Sequence, residues 1–377
     1  MPSKVAGHPA SYMQCAGIYL SIMEKVFNHP SPPIILPLLM VVSMYFLQLE
    51  EQGRYTIRCI AFYNMENLFD TVNDTLVYDD QRTPDGRDHW TPDRYWRKID
   101  KMSRVIGDIG FETRRSAPDL IGLCEVEKRA VLDDLIRSAR LEAHDYRVVH
   151  FDSPDERGID VALLYKPSVF SPHTFKSHRL LLVSPEGERD YTRDQLVVGG
   201  LLDGESVCLI VNHWPSRSGG QSRSAPGRVA AATLNRHIID SVRRSEPASK
   251  IIIMGDLNDN PTDDSLKKFL KSKGSRDSLE KGDLFNPMEA IYKKGWGSLA
   301  YRDVWSLFDQ IILSAEFVGN SATGYRFWKA GIHNPGYLST KKGRFRGYPM
   351  RTYAGGRYTG GFSDHFPVYV FLVRRLL

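Results

Sequence analysis

The chain has 377 residues, with 50 Lys plus Arg against 45 Asp plus Glu, four cysteines and 42% apolar residues. Charged residues (25%) mix with aromatics (11%) in no heptad or fixed-period pattern, which excludes disorder, collagen-like repeats and coiled coil. At about 150 residues per domain the length allows two domains or one large α/β unit. A net charge of +5 speaks for a nucleic-acid partner only if it is concentrated in one place.

The first element in chain order is the uncharged run PIILPLLMVVSMYFLQ at residues 33–48, preceded by Lys25. It is shorter than the roughly 20 residues of a membrane-spanning helix and fits the h-region of an export signal. A retained N-terminal membrane anchor is the competing reading. Pro37 and the polar LEEQGR that follows argue against a buried helix. Residues 1–54 are therefore expected to be an export signal or anchor with a polar tether, and residues 55–377, which no linker divides, a single domain.

Seven short apolar runs then read as strands covered on both faces: 57–63, 120–126, 159–165, 207–211, 251–254, 308–313 and 366–373. Cys59, Cys124 and Cys208 lie inside such runs and are expected to be buried free thiols. Cys15 lies apart, and no CxxC pair suggests zinc or redox chemistry. Helical patterns alternate with the strands. Thr91 can cap a helix with Pro92 at its first position and Ile99, Met102, Ile106 and Ile109 on one face. Residues 128–142 and 228–243 behave similarly, and Thr262 can cap a short helix running to Phe269. The class is α/β or α+β, with sheets covered by helices.

Polar residues recur where these strands begin or end. Asn64 and Glu66 close the first, Glu125 the second, Asn212 and His213 the fourth, and Asp256 and Asn258 the fifth. Asp309 opens the sixth, and Asp364 and His365 open the last. If the last two strands run antiparallel to the others, all these groups converge on one rim. Glu125 and Glu66, with Asp364 or Asn64 nearby, supply hard oxygen ligands suited to Mg2+ or Mn2+. Asp256 is a candidate base for a water that Asn258 can hold. His365 beside Asp309 is an imidazole fixed in one tautomer, able as imidazolium to stabilise phosphoryl charge. His213 can protonate a leaving oxygen or bind phosphate, Asn212 is a candidate substrate contact, and Arg217 is a candidate phosphate ligand. These are the parts of metal-assisted phosphoester hydrolysis.

The segments FYNMENLFD, IGLCEVE, RGIDVALLY, VNHWPSR, IIMGDLNDNP, SLFDQIILS and GGFSDHFPVYV run in the order found in the endonuclease/exonuclease/phosphatase superfamily, which the chain resembles across nearly everything after residue 55. Within it the wording is similar to a bacterial branch frequent among exported proteins. The resemblance implies a four-layer α/β sandwich, two mixed β-sheets packed face to face with helices outside, and a divalent metal at one rim. It also implies a catalytic domain at 55–377, and export to the bacterial periplasm or cell envelope. By the same resemblance Asn64 looks like the phosphate-side and metal-side amide, Glu125 the principal metal ligand, and Asp256 with Asn258 the water-activating pair. Asp309 and His365 look like the oriented histidine couple and Asp364 a metal or proton-transfer group. His213 falls where relatives place a His or Tyr. Glu66 stands where some relatives have Asp.

Two near matches fail. DLNDNPTDDSLK imitates an EF-hand opening, but Pro261 replaces the Gly and Lys267 the final Glu. GDLN evokes calcineurin-like phosphoesterases, yet no GNH or D-x-H strand end accompanies it. Between residues 324 and 362 the chain carries Arg326, Lys329, Lys341, Lys342, Arg344, Arg346, Arg351 and Arg357 and no acid. With Tyr and Trp between the charges, this segment suits a phosphodiester backbone, and glycines 355, 356, 360 and 361 suggest a mobile lid or close backbone approach. The expected activity is that of a Mg2+- or Mn2+-dependent phosphodiesterase or nuclease acting as a monomer on DNA or RNA. A small-molecule or lipid phosphatase or phosphodiesterase is the alternative, and a non-catalytic binding protein on the same scaffold the rival class.

Overall fold

The computed structural model of the chain describes residues 55–184, 186–319 and 324–376; the expected export segment and its tether lie outside them. In chain order, the strands of the two large sheets are β1 (Tyr55–Leu68), β2 (Leu120–Val126), β3 (Arg147–His150), β4 (Asp160–Tyr165), β5 (Phe170–His178), β6 (Gln195–Leu202), β7 (Glu205–His213), β8 (Lys250–Asp256), β9 (Ser272–Lys273), β10 (Leu284–Phe285), β11 (Asp309–Ser314), β12 (Arg326–Ile332) and β13 (Val368–Arg375). Each apolar run named above forms one of them, with its bounds moved by a few residues. The first sheet is ordered β12-β13-β1-β2-β4-β3 and the second β9-β10-β11-β8-β7-β6-β5.

Strand direction brings the polar ends together. β1 is parallel to β2, and β7 to β8, while β13 runs antiparallel to β1 and β11 antiparallel to β8. The starts of β11 and β13 therefore meet the ends of β1, β2, β7 and β8 at one rim, as the sequence suggested.

The layers follow from side-chain alternation with a period of two. In β1, Ile60 and Phe62 face the layer between the sheets, which they share with Leu209, Val211, Ile252, Met254, Ile311 and Leu313. Cys59, Ala61 and Tyr63 face outward against α1 (Pro92–Asp108) and α3 (Arg129–Ile136); the small α2 (Phe111–Arg114) follows α1. In β8, Ile251 and Ile253 face Ala231, Ala232, Ile238 and Ile239 of α4 (Gln221–Ser245). The order is helices, sheet, sheet, helix: an α/β sandwich of two mixed sheets. Cys59, Cys124 and Cys208 are buried free thiols.

Local signals account for the start of α1. Thr91 accepts a hydrogen bond from the Arg94 amide at 3.4 Å and Pro92 takes the first helical position of α1. α4 begins at Gln221 rather than 228, because Pro226 ahead of the apolar stripe masks its start. The helix expected after Thr262 is a single wide turn, Ser265–Phe269, without a side-chain cap. Asp263 instead accepts from the Asn260 amide at 2.8 Å and pairs with Arg217.

Gly255 in β8 lies opposite Asn212 of β7, where a Cβ would stand 2.5 Å from the Asn212 carbonyl oxygen and 2.6 Å from its Cβ. Gly255→Ala is expected to destabilise the domain by about 1–3 kcal/mol, read as a lower urea midpoint with an unchanged slope. An unmoved midpoint would mean that β7 and β8 can part here without cost.

Candidate active site

Alternation decides which polar ends enter the site. Asn64, His213, Asp256 and Asp309 share the parity of the residues filling the inter-sheet layer, so each stands where that apolar filling stops, and all four are buried. Asn64 Nδ2 donates to Glu125 Oε1 at 3.2 Å and to Asp256 Oδ2 at 3.1 Å, joining the two sheets across the rim. Its Oδ1 accepts from the Glu66 amide at 2.9 Å, and its carbonyl accepts from Ser363 Oγ at 2.8 Å.

Asn212 has the opposite parity, and its expected contact with substrate is corrected by that fact. Its Nδ2 donates to the carbonyls of Ile210 and Met254 at 3.2 Å, and its Oδ1 accepts from Trp214 Nε1 at 3.1 Å and Asn235 Nδ2 at 2.7 Å. The amide is wholly engaged on the α4 side of the sheet.

Glu125 reaches the site through a bulge. Leu123 faces the outer layer and simple alternation would send Glu125 there too, but the register with β1 and β4 shifts after Cys124 and Val126 takes the outer position. Glu125 itself has φ of +58°, sparsely populated for a non-glycine residue. Its Oε2 accepts from the Asn67 amide at 3.0 Å. Glu66 (φ +48°), Asn67 (φ +54°) and Asn258 (φ +50°) carry similar backbone strain at the same rim.

The electrostatics separate the titratable groups. Burial pushes Asp256 up to about 7, with Asp309 and Glu125 adding to the shift against the opposing pull of His365. Its Oδ1 accepts from the Asn258 amide at 3.0 Å. His365 Nδ1 lies 2.6 Å from Asp309 Oδ2, and its Nε2 lies 3.9 Å from Asp256 Oδ2. Burial opposes the imidazolium, but Asp309 and Asp256 overcome it and hold the pKa well above the ordinary histidine range. His213 goes the other way: burial, then Arg193, Arg157 and His365, press its pKa well below normal. Burial thus favours the neutral ring of His213, which suits it to hydrogen bonding. Its Nε2 lies 3.8 Å from both Glu125 Oε1 and Asp256 Oδ2.

Glu66 and Asp364 come to the rim but are held apart from this set. Arg351 lies between them, with Nη2 2.6 Å from Asp364 Oδ2 and Nε 3.4 Å from Glu66 Oε1, while Glu66 Oε2 accepts from the Thr352 amide at 2.6 Å. Below them is Lys98, buried, donating to Thr352 Oγ1 at 2.6 Å and to the Phe362 carbonyl, 3.8 Å from Glu66. Burial lowers its pKa to about 8 although Glu66 and Asp364 oppose the shift. Lys98 had a signal in the sequence: it sits within the apolar stripe Tyr95, Ile99, Met102 of α1, where a solvated lysine has no place. Arg217 is likewise committed, its Nε to the Asn258 carbonyl at 2.8 Å and its Nη2 to Asp259 and Asp263 at 2.9 and 2.6 Å. It braces the loop after β8 through these contacts.

The donor set fits a hard divalent cation. Glu125, Asp256 and Asp309 bring three carboxylates against one imidazolium. Asp309 Oδ1 and His213 Nδ1 are buried without a hydrogen-bond partner among the described residues. Asp256, Asp309 and His365, and Cys124, His213 and Asp256, bring ligand atoms within 4.8 Å of one another.

A family model described as Endonuclease/Exonuclease/phosphatase family matches residues 59–374, and the chain belongs to that family. Endonucleases, exonucleases and phosphatases all hydrolyse phosphoester bonds. Among solved structures, humanized D. rerio TDP2 with 14 mutations superposes with a TM-score of 0.50 at 15% identity, over 84% of this chain and 98% of that one. Truncated Caenorhabditis elegans TDP2 gives 0.50 at 14% identity over 84% and 97%. An endonuclease/exonuclease/phosphatase family protein from Bacteroides thetaiotaomicron gives 0.50 at 18% identity over 86% and 100%. These likenesses show the fold. No curated protein gives a significant match.

Proposed function

We propose that this chain is a divalent-cation-dependent phosphodiesterase, acting as a nuclease. The observation that carries the reading is the meeting of Asn64, Glu125, His213, Asp256 and the Asp309–His365 couple from six separate strands and loops at one rim. Glu125, with Asn64 and Asp256 beside it, would hold Mg2+ or Mn2+, which when bound polarises a phosphoryl oxygen as a Lewis acid. Asp256, poised near neutrality, accepts a proton from the attacking water. The His365 imidazolium, oriented by Asp309, stabilises charge developing on the phosphoryl oxygens. His213 donates or accepts a hydrogen bond there as a neutral ring.

The cationic segment supports a polymeric substrate. Lys341, Lys342, Arg344 and Arg346 are exposed around the exposed Phe345, and Phe345, Tyr348, Trp305 and Phe366 form a continuous line of ring contacts leading back to His365. Export is supported by the apolar run at 33–48; among the described residues no helix is long and apolar enough to cross a membrane. The test is turnover by the full chain on bis(4-nitrophenyl) phosphate, plasmid DNA, RNA, a sugar phosphate and a phospholipid, with EDTA and then Mg2+ or Mn2+. Cleavage of nucleic acid that EDTA stops and either metal restores is expected. Preference for the sugar phosphate or lipid would move the substrate to a small molecule or membrane, no turnover of any ester overturns the enzyme reading, and turnover indifferent to EDTA overturns the cation dependence.

A further inference from the structure

Two half-exposed arginines frame the centre, each fastened to its own part of the rim. The loop joining β3 to β4 is held at several points. His150 Nε2 meets Asp160 Oδ2 at 2.9 Å, and the Ser153 amide donates to Asp160 Oδ1 at 2.8 Å. Gly158, at φ +67°, packs so closely that a Cβ would lie 2.7 Å from Val77. Within this loop the buried Asp155 grips two guanidinium groups. Its Oδ2 accepts from Arg193 Nη1 at 3.0 Å, and its Oδ1 lies 3.4 Å from Arg157 Nε. Arg193 Nη2 in turn donates to the Trp214 carbonyl at 2.7 Å, the acceptor that Asn258 Nδ2 also uses at 3.0 Å. The buried Arg193–Asp155 pair thus ties the loop to Trp214, the residue that follows β7, and Arg157 is held against that pair with 48% of its side chain exposed.

On the far side Arg351 stands over Glu66 and Asp364, at the end of β1 and the start of β13, with 54% of its side chain exposed. Between the two arginines lies the end of β2, with Glu125. From β1 to β4 there are two strand spacings, about 10 Å, and each guanidinium is tethered by carboxylates at its own end. A guanidinium has five N–H donors in a fork that suits phosphate, and the carboxylates engage only some of them.

We propose that Arg157 and Arg351 are phosphate subsites on opposite sides of the reacting centre, selecting a phosphodiester that has further phosphates on both sides: an internal linkage of a polynucleotide. The proposal rests on the phosphoester reading of the same site. Arg193 and Asp155 act as positioning residues for the first subsite.

The test is the affinity of the full chain for a fluorescein-labelled oligothymidylate, followed by anisotropy at increasing KCl in EDTA. Each phosphate contact contributes about 0.7 to the slope of log K against log salt for a single strand. Arg157→Gln and Arg351→Gln are each expected to flatten the slope by about 0.7 and the double variant by about 1.4, while Arg157→Lys and Arg351→Lys keep it. An unchanged slope in the Gln variants, or an unmodified chain that does not bind, discards the subsites. Turnover of bis(4-nitrophenyl) phosphate, a diester without neighbouring phosphates, is measured separately. Turnover with an unchanged slope keeps the hydrolase and rejects the subsites; a changed slope without turnover on any ester leaves a polyanion-binding protein.

Discussion

With Asp256 replaced by Asn, hydrolysis of a simple phosphodiester is expected to fall by about 10²–10⁴-fold, while the chain folds cooperatively as before. Asn preserves the shape of a buried side chain and its acceptor for the Asn258 amide, but cannot take a proton from water. The variant also changes how metal-free stability depends on pH. Asp256 is pushed from 3.8 to about 7 on folding, so the unfolded chain ionises this group first. Its contribution is fully present below about pH 4 and is lost as pH rises through about 7. Asp256→Asn should therefore flatten the fall in stability across that window, measured by urea unfolding in EDTA at a series of pH values. Full activity in the variant would remove Asp256 from the chemistry, and an unaltered pH dependence would show that its carboxyl is not strained.

Asp309→Asn is expected to cost about 10²–10³-fold in kcat and to move the basic limb of the pH–rate profile downward. His365 is buried, and without a carboxylate 2.6 Å from Nδ1 its charged form loses its main support. In the parent chain the raised pKa contributes stability that is present below the ordinary histidine value and lost as pH rises through the folded one. Removing Asp309 brings that loss to lower pH, and the imidazolium is depleted where the parent still works. A profile that only drops, without moving, would mean that Asp309 orients the ring but does not hold its charge.

Much of this was legible in the sequence because strands announce themselves and their ends stand out. Ile251–Met254 followed by Gly255, Asp256 and Asn258 reads as a buried strand delivering polar groups, and the structure places it so. The layer each end faces was equally readable by counting in twos, which separates His213 from Asn212. Bulges were not. Nothing in IGLCEVE shows that Cys124 and Val126 will lie on different faces, because the cause is register against β1 and β4, a property of the assembled sheet. Long-range ion pairs were also hidden: Arg217 sits in a motif that suggests phosphate, yet Asp259 and Asp263, more than forty residues away in sequence, claim it. The glycines before β13 resolved in favour of close approach at Gly361, whose Cβ would collide with the carbonyls of Met350 and Arg351. The segment they belong to is pinned to α1, with Arg94 stacked 4.3 Å over Tyr358 and Lys101 bonded to the Gly360 carbonyl.

The hydrocarbon packed between the sheets forms the floor beneath Asn64, Asp256 and Asp309, while Arg157 and Arg351 stand in water at the mouth. Added salt screens the exposed charges strongly and the buried ones much less. On the proposed reading, ionic strength is expected to govern how readily a polyanion is captured and to leave the inner charges almost untouched, so recruitment and bond breaking would respond to different surroundings at one rim.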